Sequence, residues 1–487
     1  GVKMSSNKTM NIAIIGAGPS GIAVGRELLH QGINSFTIFE KEPAAGGTWQ
    51  IHSYPGLACD VWAHSYTFSY LPNPNWSASF VPQNEIKEYL QDCVGKLGLT
   101  SHLRYNTRIT RAIFGNKHWQ LEFDKGEPQQ FDIVINAMGN QHTAAYPNLK
   151  GMEAFQGPSW HSTEWNHDVD LTGKKVIVVG SAAAAVQVVP ELAKVVDQLF
   201  VLQRTANWIM PRRRKIYSDR QRKLFNKFPI LMKALRAGQG LLMSGIEKGV
   251  ELGHKRMDMF ENMGKKYIKD VIEDEVLQQI LTPQTRFGCK RALVSDDFYQ
   301  ALNKDNVTLI AAGAAEIVEA GLITSDGQKL EADVIVYCTG YKLMDFDRIE
   351  VLGVASKNLA DTMAHSPEAF KGIATPQFPN YFFAIGPNGL ALSVSYFITA
   401  ETNAECIVRL VKELQASGSS VLDVKQQLCD EYNQWMMGEF SQFSWGEASC
   451  TSYYSTADGH HPFIYPGGFK CFKQERKDVS LQDFELS

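Results

Sequence analysis

The 487-residue chain has no Cys-x-x-Cys pair, no long hydrophobic run, no low-complexity tract and no large surplus of charge of either sign. Each absence removes a class of function. The eight cysteines, at 59, 93, 289, 338, 406, 429, 450 and 471, are dispersed. That spacing argues against a zinc ribbon, a disulfide framework and a redox dithiol, and for a reducing, cytoplasmic setting. A formal net charge of −4 gives no reason to expect nucleic acid or an anionic membrane as partner. The first eight residues carry no apolar stretch of the kind a secretory leader needs. No apolar run approaches the roughly 20 residues that span a bilayer, so no membrane span is expected. Leu241-Leu242-Met243 and Phe382-Phe383-Ala384-Ile385 read as short core segments.

What is present is a repeated grammar. Asn11–Ile15 is a run of Ile and Ala bounded by glycine, as in a buried parallel strand. Helical spacing follows over Pro19–Gln31, then a second strand over Ser35–Phe39. The same order returns as a strand at Lys175–Val179, a helix at Ala183–Val196 and a strand at Gln198–Leu202. Strands at Asp132–Asn136 and Asp333–Tyr337 each run into a small-residue turn, Ala137-Met138-Gly139 and Cys338-Thr339-Gly340. Such turns pass the chain from one dinucleotide domain to the next. The expectation is an α/β protein with two Rossmann-like dinucleotide-binding domains: the first part of one over 1–145, the other over 146–343, and the second part of the first with a substrate-side segment over 344–487. A helical insertion interrupts the second dinucleotide domain at about 212–282, with helical periodicity over Met257–Met263 and Tyr267–Leu281. Its Arg212-Arg213-Arg214 run reads as a solvated face rather than a binding patch. The aromatic end (Phe440, Phe443, Trp445, Tyr453, Tyr454) is expected to pack against the earlier domains.

Gly16-Ala17-Gly18-Pro19-Ser20-Gly21 is a GxGxxG loop between a strand and a helix. Gly16 makes the tight turn, Gly18 lets backbone approach a pyrophosphate, and Gly21 allows the helix to lie close to the strand. The helix N-terminus then faces the phosphates. Glu40 ends the second strand, where a carboxylate accepts both ribose hydroxyls. In the second unit Arg204 stands 24 residues after Gly180, as Glu40 stands 24 after Gly16. An acid there repels a 2′-phosphate, whereas a guanidinium grips one with a bidentate, charge-assisted pair. The first site therefore suits FAD and the second NADPH. The second loop, Gly180-Ser181-Ala182-Ala183-Ala184-Ala185, lacks two of the glycines. A methyl at Ala182 predicts a wider loop or a shifted cofactor. Ser20, Lys41, Gly47, Thr48, Trp49, Asp60, Thr339 and Gly340 complete the cofactor candidates; no metal ligand set is expected.

Three segments carry a resemblance to type I Baeyer–Villiger monooxygenases, within the flavin-containing monooxygenase superfamily. Phe155 to Trp165 fits FxGxxxHxxxW, Gly47 to Asp60 fits GxWxxxxYPGxxxD, and Phe287-Gly288-Cys289-Lys290-Arg291 is similar to the segment holding that family's active-site arginine. The likeness extends to Cys450-Thr451-Ser452-Tyr453-Tyr454 and Tyr465-Pro466-Gly467, and departs from pattern at Asn166 and at 180–185. It implies an NADPH- and O2-dependent oxidation of a ketone to an ester or lactone through a C4a-peroxyflavin, with sulfoxidation of thioethers as a side activity. Arg291 is the implied catalytic cation and Asp60 its orienting carboxylate; Asp60 fits an N-cap before Val61 as well. Lys290 and Thr205 are implied, with Arg204, as 2′-phosphate contacts, Thr205 reading equally as a turn residue. His161 belongs to the linker motif, and a single histidine with no visible partner is not expected to do acid–base work. Trp49 and Trp165 read as packing residues. Other readings are N- or S-oxygenation as the main task, a pyridine nucleotide disulfide oxidoreductase, which would need a dithiol, and a catalytically quiet nucleotide-binding protein. Sequence does not name the ketone or the oligomeric state.

Overall fold

The computed structural model describes residues 8–140, 142–447, 450 and 461–487. Two five-stranded parallel sheets organise them. Across the first, the strands run Tyr381–Phe383, Ile133–Asn136, Ile12–Ile15, Phe36–Phe39 and Leu103–Arg104. Across the second they run Ser159–His161, Val334–Tyr337, Lys175–Val179, Gln198–Leu202 and Val307–Ile310. The two orders match strand for strand. All four residues of Ile12–Ile15 and the last four of Lys175–Val179 are buried, as expected of central strands covered on both faces. Each unit also places three antiparallel strands before the strand that precedes the crossover turn, and in the first unit Glu350–Leu352 adds a fourth strand, parallel to Ile109–Gly115. In the first the three are Ile109–Gly115, His118–Phe123 and Gln129–Phe131; in the second, Ala314–Val318, Gly321–Thr324 and Lys329–Glu331.

The outermost strands differ in origin. In the first sheet Tyr381–Phe383 comes from the C-terminal third of the chain, after the second unit is complete. In the second sheet the outer strand is Ser159–His161, from the FxGxxxHxxxW segment, paired in parallel with Ile335–Tyr337. The C-terminal third also contributes helix Tyr396–Ser417, which lies against helix Pro19–His30. Phe440 and Trp445 are buried in one cluster with Trp208, Val250, Met257 and Phe287, so this part of the aromatic end packs inward. Tyr453 and Tyr454 lie outside the described residues.

The insertion is helical, as its periodicity predicts, with helices Asp219–Lys227, Ile230–Gly249, Lys255–Val271 and Glu275–Leu281. Three expectations need correction. The helical reading of Tyr267–Leu281 is broken after Val271, because the Asp274 side chain accepts from Val276 N at 2.9 Å and starts a new helix there. Leu241 and Leu242 are not core: they are 76% and 66% exposed on helix Ile230–Gly249. Cys289 and Cys450 are joined by a disulfide across 161 residues of sequence, a pairing that no local spacing reveals. No helix among the described residues is long and apolar enough to cross a membrane.

Candidate functional site

The two glycine loops open into one connected cavity of about 1490 Å³. Both loops follow the same local rule. Gly16 and Gly180 have φ of +110° and +116°, and a Cβ on either would run into a carbonyl oxygen of the crossover turn, that of Ala137 or Cys338. Gly18 and Ala182 are the N-caps of the following helices, at φ −79°, ψ −171° and φ −88°, ψ −157°, and neither makes a side-chain cap. The first-turn N–H groups of both helices are therefore left for a ligand at the cavity wall, and backbone N–H groups at a helix N-terminus suit a pyrophosphate. The methyl of Ala182 does not force a different backbone, since its φ is ordinary for any residue. Among the candidate cofactor residues Gly21 alone does not face the cavity. A Cβ there would meet the Gly16 carbonyl oxygen, so Gly21 serves helix-to-strand approach, as the loop pattern requires.

Glu40 is buried beyond strand Phe36–Phe39 and accepts from Ala17 N and Glu42 N, both at 3.1 Å. Burial pushes its carboxyl pKa up, opposed by those two backbone bonds. Lys41, Thr48 and Trp49 line the same side. The Trp49 indole donates to the Tyr66 hydroxyl at 3.1 Å and its ring is mostly buried, which makes it a packing residue that also bounds the cavity. Ser20 is bonded to the Tyr396 hydroxyl at 2.7 Å. On the other side Arg204, Thr205 and Lys290 come together. The Lys290 ammonium donates to the Thr205 hydroxyl, and the Arg204 stem passes over Gly313, where a Cβ would collide with it. Lys290 has its pKa lowered by burial and then by the charge of Arg204. Two cations held this close in a cavity wall favour an anion between them. Thr339 and Gly340 also line the cavity, but Thr339 donates to Ala145 O at 2.6 Å and Gly340 O accepts from Ala145 N at 3.0 Å. Both residues thus tie the two crossover segments together.

Asp60 and Arg291 meet at 2.7 Å in the lining of the cavity that both glycine loops share. The N-cap reading of Asp60 does not hold, since the next helical turn is Ala63–Ser65 with Trp62 at its cap. A partly exposed pair is worth at most about 1 kcal/mol of stability, so its consequence is the direction it gives the guanidinium. Lys290 and Arg291 follow Cys289, but neither Cys289 nor Cys450 lines the cavity. The expectation against a disulfide is corrected by the Cys289–Cys450 bond, while the two cysteines that do line the cavity, Cys59 and Cys338, are free.

Sequence reasoning missed what the second signature does in space. The Tyr54 hydroxyl donates to Gln187 Oε1 at 3.1 Å and Gln187 Nε2 donates to Ala58 O at 2.8 Å. Gly56, at φ +79°, lets this loop lie on the Gln187 carbonyl. Gln187 is on the second nucleotide helix, so the segment that ends in Asp60 is docked onto the opposite domain. Arg348 was missed as well: its guanidinium donates to Met138 O at 3.0 Å and to Gly139 O, bracing the first crossover turn. No local motif marks either contact. His161 is fully buried, with Nδ1 accepting from Thr163 N at 3.1 Å, and burial lowers its pKa. It faces Tyr146 rather than the cavity, and Trp165 packs edge-on against Trp160.

Two parallel sheets of matching strand order, with their glycine loops on one cavity, a buried carboxylate beside the first and two cations beside the second, give the layout of a two-dinucleotide enzyme. The chain belongs to the flavin-binding monooxygenase-like family, which matches residues 9–357. It is 35% identical to a Baeyer-Villiger monooxygenase of Pseudomonas aeruginosa, over 98% of this chain and 91% of that one. It is 33% identical to another from Streptomyces coelicolor, over 98% and 92%. In fold it is similar to OTEMO in complex with FAD and NADP, with a TM-score of 0.86 at 24% identity over 98% of this chain and 99% of that one. The protein is an FAD-dependent NADPH monooxygenase, and FAD and NADPH are its cofactors.

Proposed function

We propose that the enzyme inserts one oxygen atom of O2 beside a ketone carbonyl, giving an ester or lactone and water at the expense of NADPH and a proton. The observation that carries this reading is the Asp60–Arg291 pair, 2.7 Å apart in the lining of the cavity that both glycine loops share. Bound FAD, once reduced by NADPH, supplies the oxygen-activating chemistry. Arg291 then acts by charge alone. A guanidinium does not lose its proton in a protein, so it presents a fixed cation to negative charge that grows on the carbonyl oxygen. Asp60 holds one edge of that guanidinium and so sets its direction; it transfers no proton. Arg204, Thr205 and Lys290 hold the 2′-phosphate of NADPH, with Gly180, Ser181 and Ala182 against its pyrophosphate. Gly16, Gly18, Ser20, Glu40, Lys41, Gly47, Thr48 and Trp49 hold FAD.

The division 1–145, 146–343 and 344–487 goes with this assignment, supported by the third part returning strand Tyr381–Phe383 to the first sheet. A thioether that enters the cavity is oxidised to a sulfoxide as a side activity. We place the enzyme in the cytoplasm, on the strength of its reductant and of five buried free thiols. Arg291→Ala tests the central assignment: the variant should still bind FAD and be reduced by NADPH, yet form no ester from any member of a ketone panel. Normal ester formation would remove Arg291 from the mechanism.

A further inference from the structure

The chain-wide charge conceals a strong local imbalance. Residues 212–248 hold eleven Lys and Arg against two Asp and Glu, a local net of +9 in a chain whose total is −4. Arg213, Lys215, Arg220, Lys223, Lys227 and Lys233 in this stretch are exposed. Beside them the structure leaves large apolar side chains in water. Phe228, Ile230, Leu231, Leu241 and Leu242 are 46%, 66%, 42%, 76% and 66% exposed.

The apolar residues form a face. On helix Ile230–Gly249, positions 230, 234, 237 and 241 recur every three or four residues and so stack along one side, with 231, 238, 242 and 245 beside them. That outward sector is Ile, Leu, Ala and Gly, with no charge until Lys248. Met232 and Gln239 point the other way and are buried, and Met243 and Ile246 line the oxygenation cavity. A surface helix ordinarily turns its polar side outward. Here the outward sector is apolar while Gln239 and Arg236 make their polar contacts inward, and an exposed apolar face rimmed by basic residues marks a surface that meets something.

We infer that this insertion docks on an anionic lipid surface, lying in the plane of the interface with Ile230, Leu231, Leu241 and Leu242 among the acyl chains and the lysines at the headgroups. A second copy of the chain is disfavoured as the occupant, because two faces of the same strong positive charge repel. Nucleic acid is disfavoured because its phosphates leave the leucines in water. Docking places the helix that walls the cavity through Met243 and Ile246 directly on the bilayer, so a lipophilic ketone dissolved there lies next to the site. That last consequence rests on the ketone reading; the docking itself does not.

The test is co-sedimentation of the intact holoenzyme with vesicles of phosphatidylcholine alone or with about a third phosphatidylglycerol, at low and at roughly 0.5 M salt. Binding should be about tenfold or more stronger to the anionic vesicles, and should fall with salt. Leu241→Asp with Leu242→Asp, and separately Lys223→Glu with Lys227→Glu, should each abolish it while NADPH oxidation driven by a water-soluble ketone stays unchanged. Equal binding to both vesicles, no binding, or binding that survives both double variants would overturn the proposal. So would ultracentrifugation showing that the leucine variant dissociates a dimer while vesicle binding persists.

Discussion

The unit proposed to hold FAD and the unit proposed to hold NADP share a strand order, an accessory sheet with three antiparallel strands and a glycine at positive φ pressed against a crossover carbonyl. They differ at the ribose position and in where the outer strand comes from. Glu40 is buried and held by two backbone N–H groups, a rigid acceptor. The corresponding Arg204 joins Thr205 and Lys290, which lies in a separate segment. One unit thus builds its recognition group within a single βαβ stretch. The other needs a residue delivered from beyond the helical insertion. Backbone scaffolds can be repeated cheaply, whereas a cluster of like charges has to be assembled by tertiary folding around its anion.

The largest effect is expected where the two units are most alike. Gly16→Ala should yield protein without FAD, and Gly180→Ala should keep FAD but lose reduction by NADPH. The φ penalty alone is about 1–3 kcal/mol at each position, before the clash with the carbonyl of Ala137 or Cys338. Retention of both cofactors, read by flavin absorbance and stopped-flow reduction, would break the equivalence.

The junction between the units should be sensitive to acid. His142, just past the first crossover, is pushed down to about 3 by burial first and then by the charge of Arg348. With its folded pKa below its unfolded one, its contribution is complete above the ordinary value of 6.5 and is lost as pH falls from there toward about 3. Each pH unit in that window costs about 1.4 kcal/mol. Urea unfolding at several pH values should therefore show a shallower acid loss in His142→Phe than in the parent; identical slopes would mean that the histidine is not held neutral.

At the ribose positions, Arg204→Ala should weaken NADPH by about 1.5–3 kcal/mol, the loss of a charged hydrogen bond, and leave NADH little changed. Equal loss for both nucleotides would show that Arg204 does not read the phosphate. The smallest effects belong to the second loop residue. Ala182→Gly should leave NADPH binding within about 0.5 kcal/mol, because Ala182 already has the backbone angles of Gly18. The reverse change, Gly18→Ala, should cost more FAD affinity, since its Cβ would sit 3.3 Å from Gly47 Cα. A large effect at 182 and none at 18 would reverse the comparison.

The strands Lys175–Val179 and Gln198–Leu202 lie where their apolar runs place them, and helix Pro19–His30 differs from its periodic pattern by one residue. These features are local, so a buried strand next to a glycine turn is readable from neighbours in sequence. The same holds for the two loops, for Glu40 and for Arg204. The Leu241-Leu242 pair shows the limit of that logic. Apolar residues of a helix can face either core or solvent, and only the packing of Met232 and Gln239 inward turned the leucines out.

By itself the sequence determined the two glycine-loop units and, through the family signatures, the cofactors FAD and NADPH, because the loops are encoded by short-range backbone requirements. Tertiary structure alone decided that Asp60 meets Arg291 rather than capping a helix, and that Tyr54 and Gly56 dock on Gln187. It alone joined Cys289 to Cys450 and spread the charge of residues 212–248 beside an apolar face. The physical reason is the same for each: these contacts join residues far apart in the chain or choose between two faces of one helix, and only the packed interior fixes either.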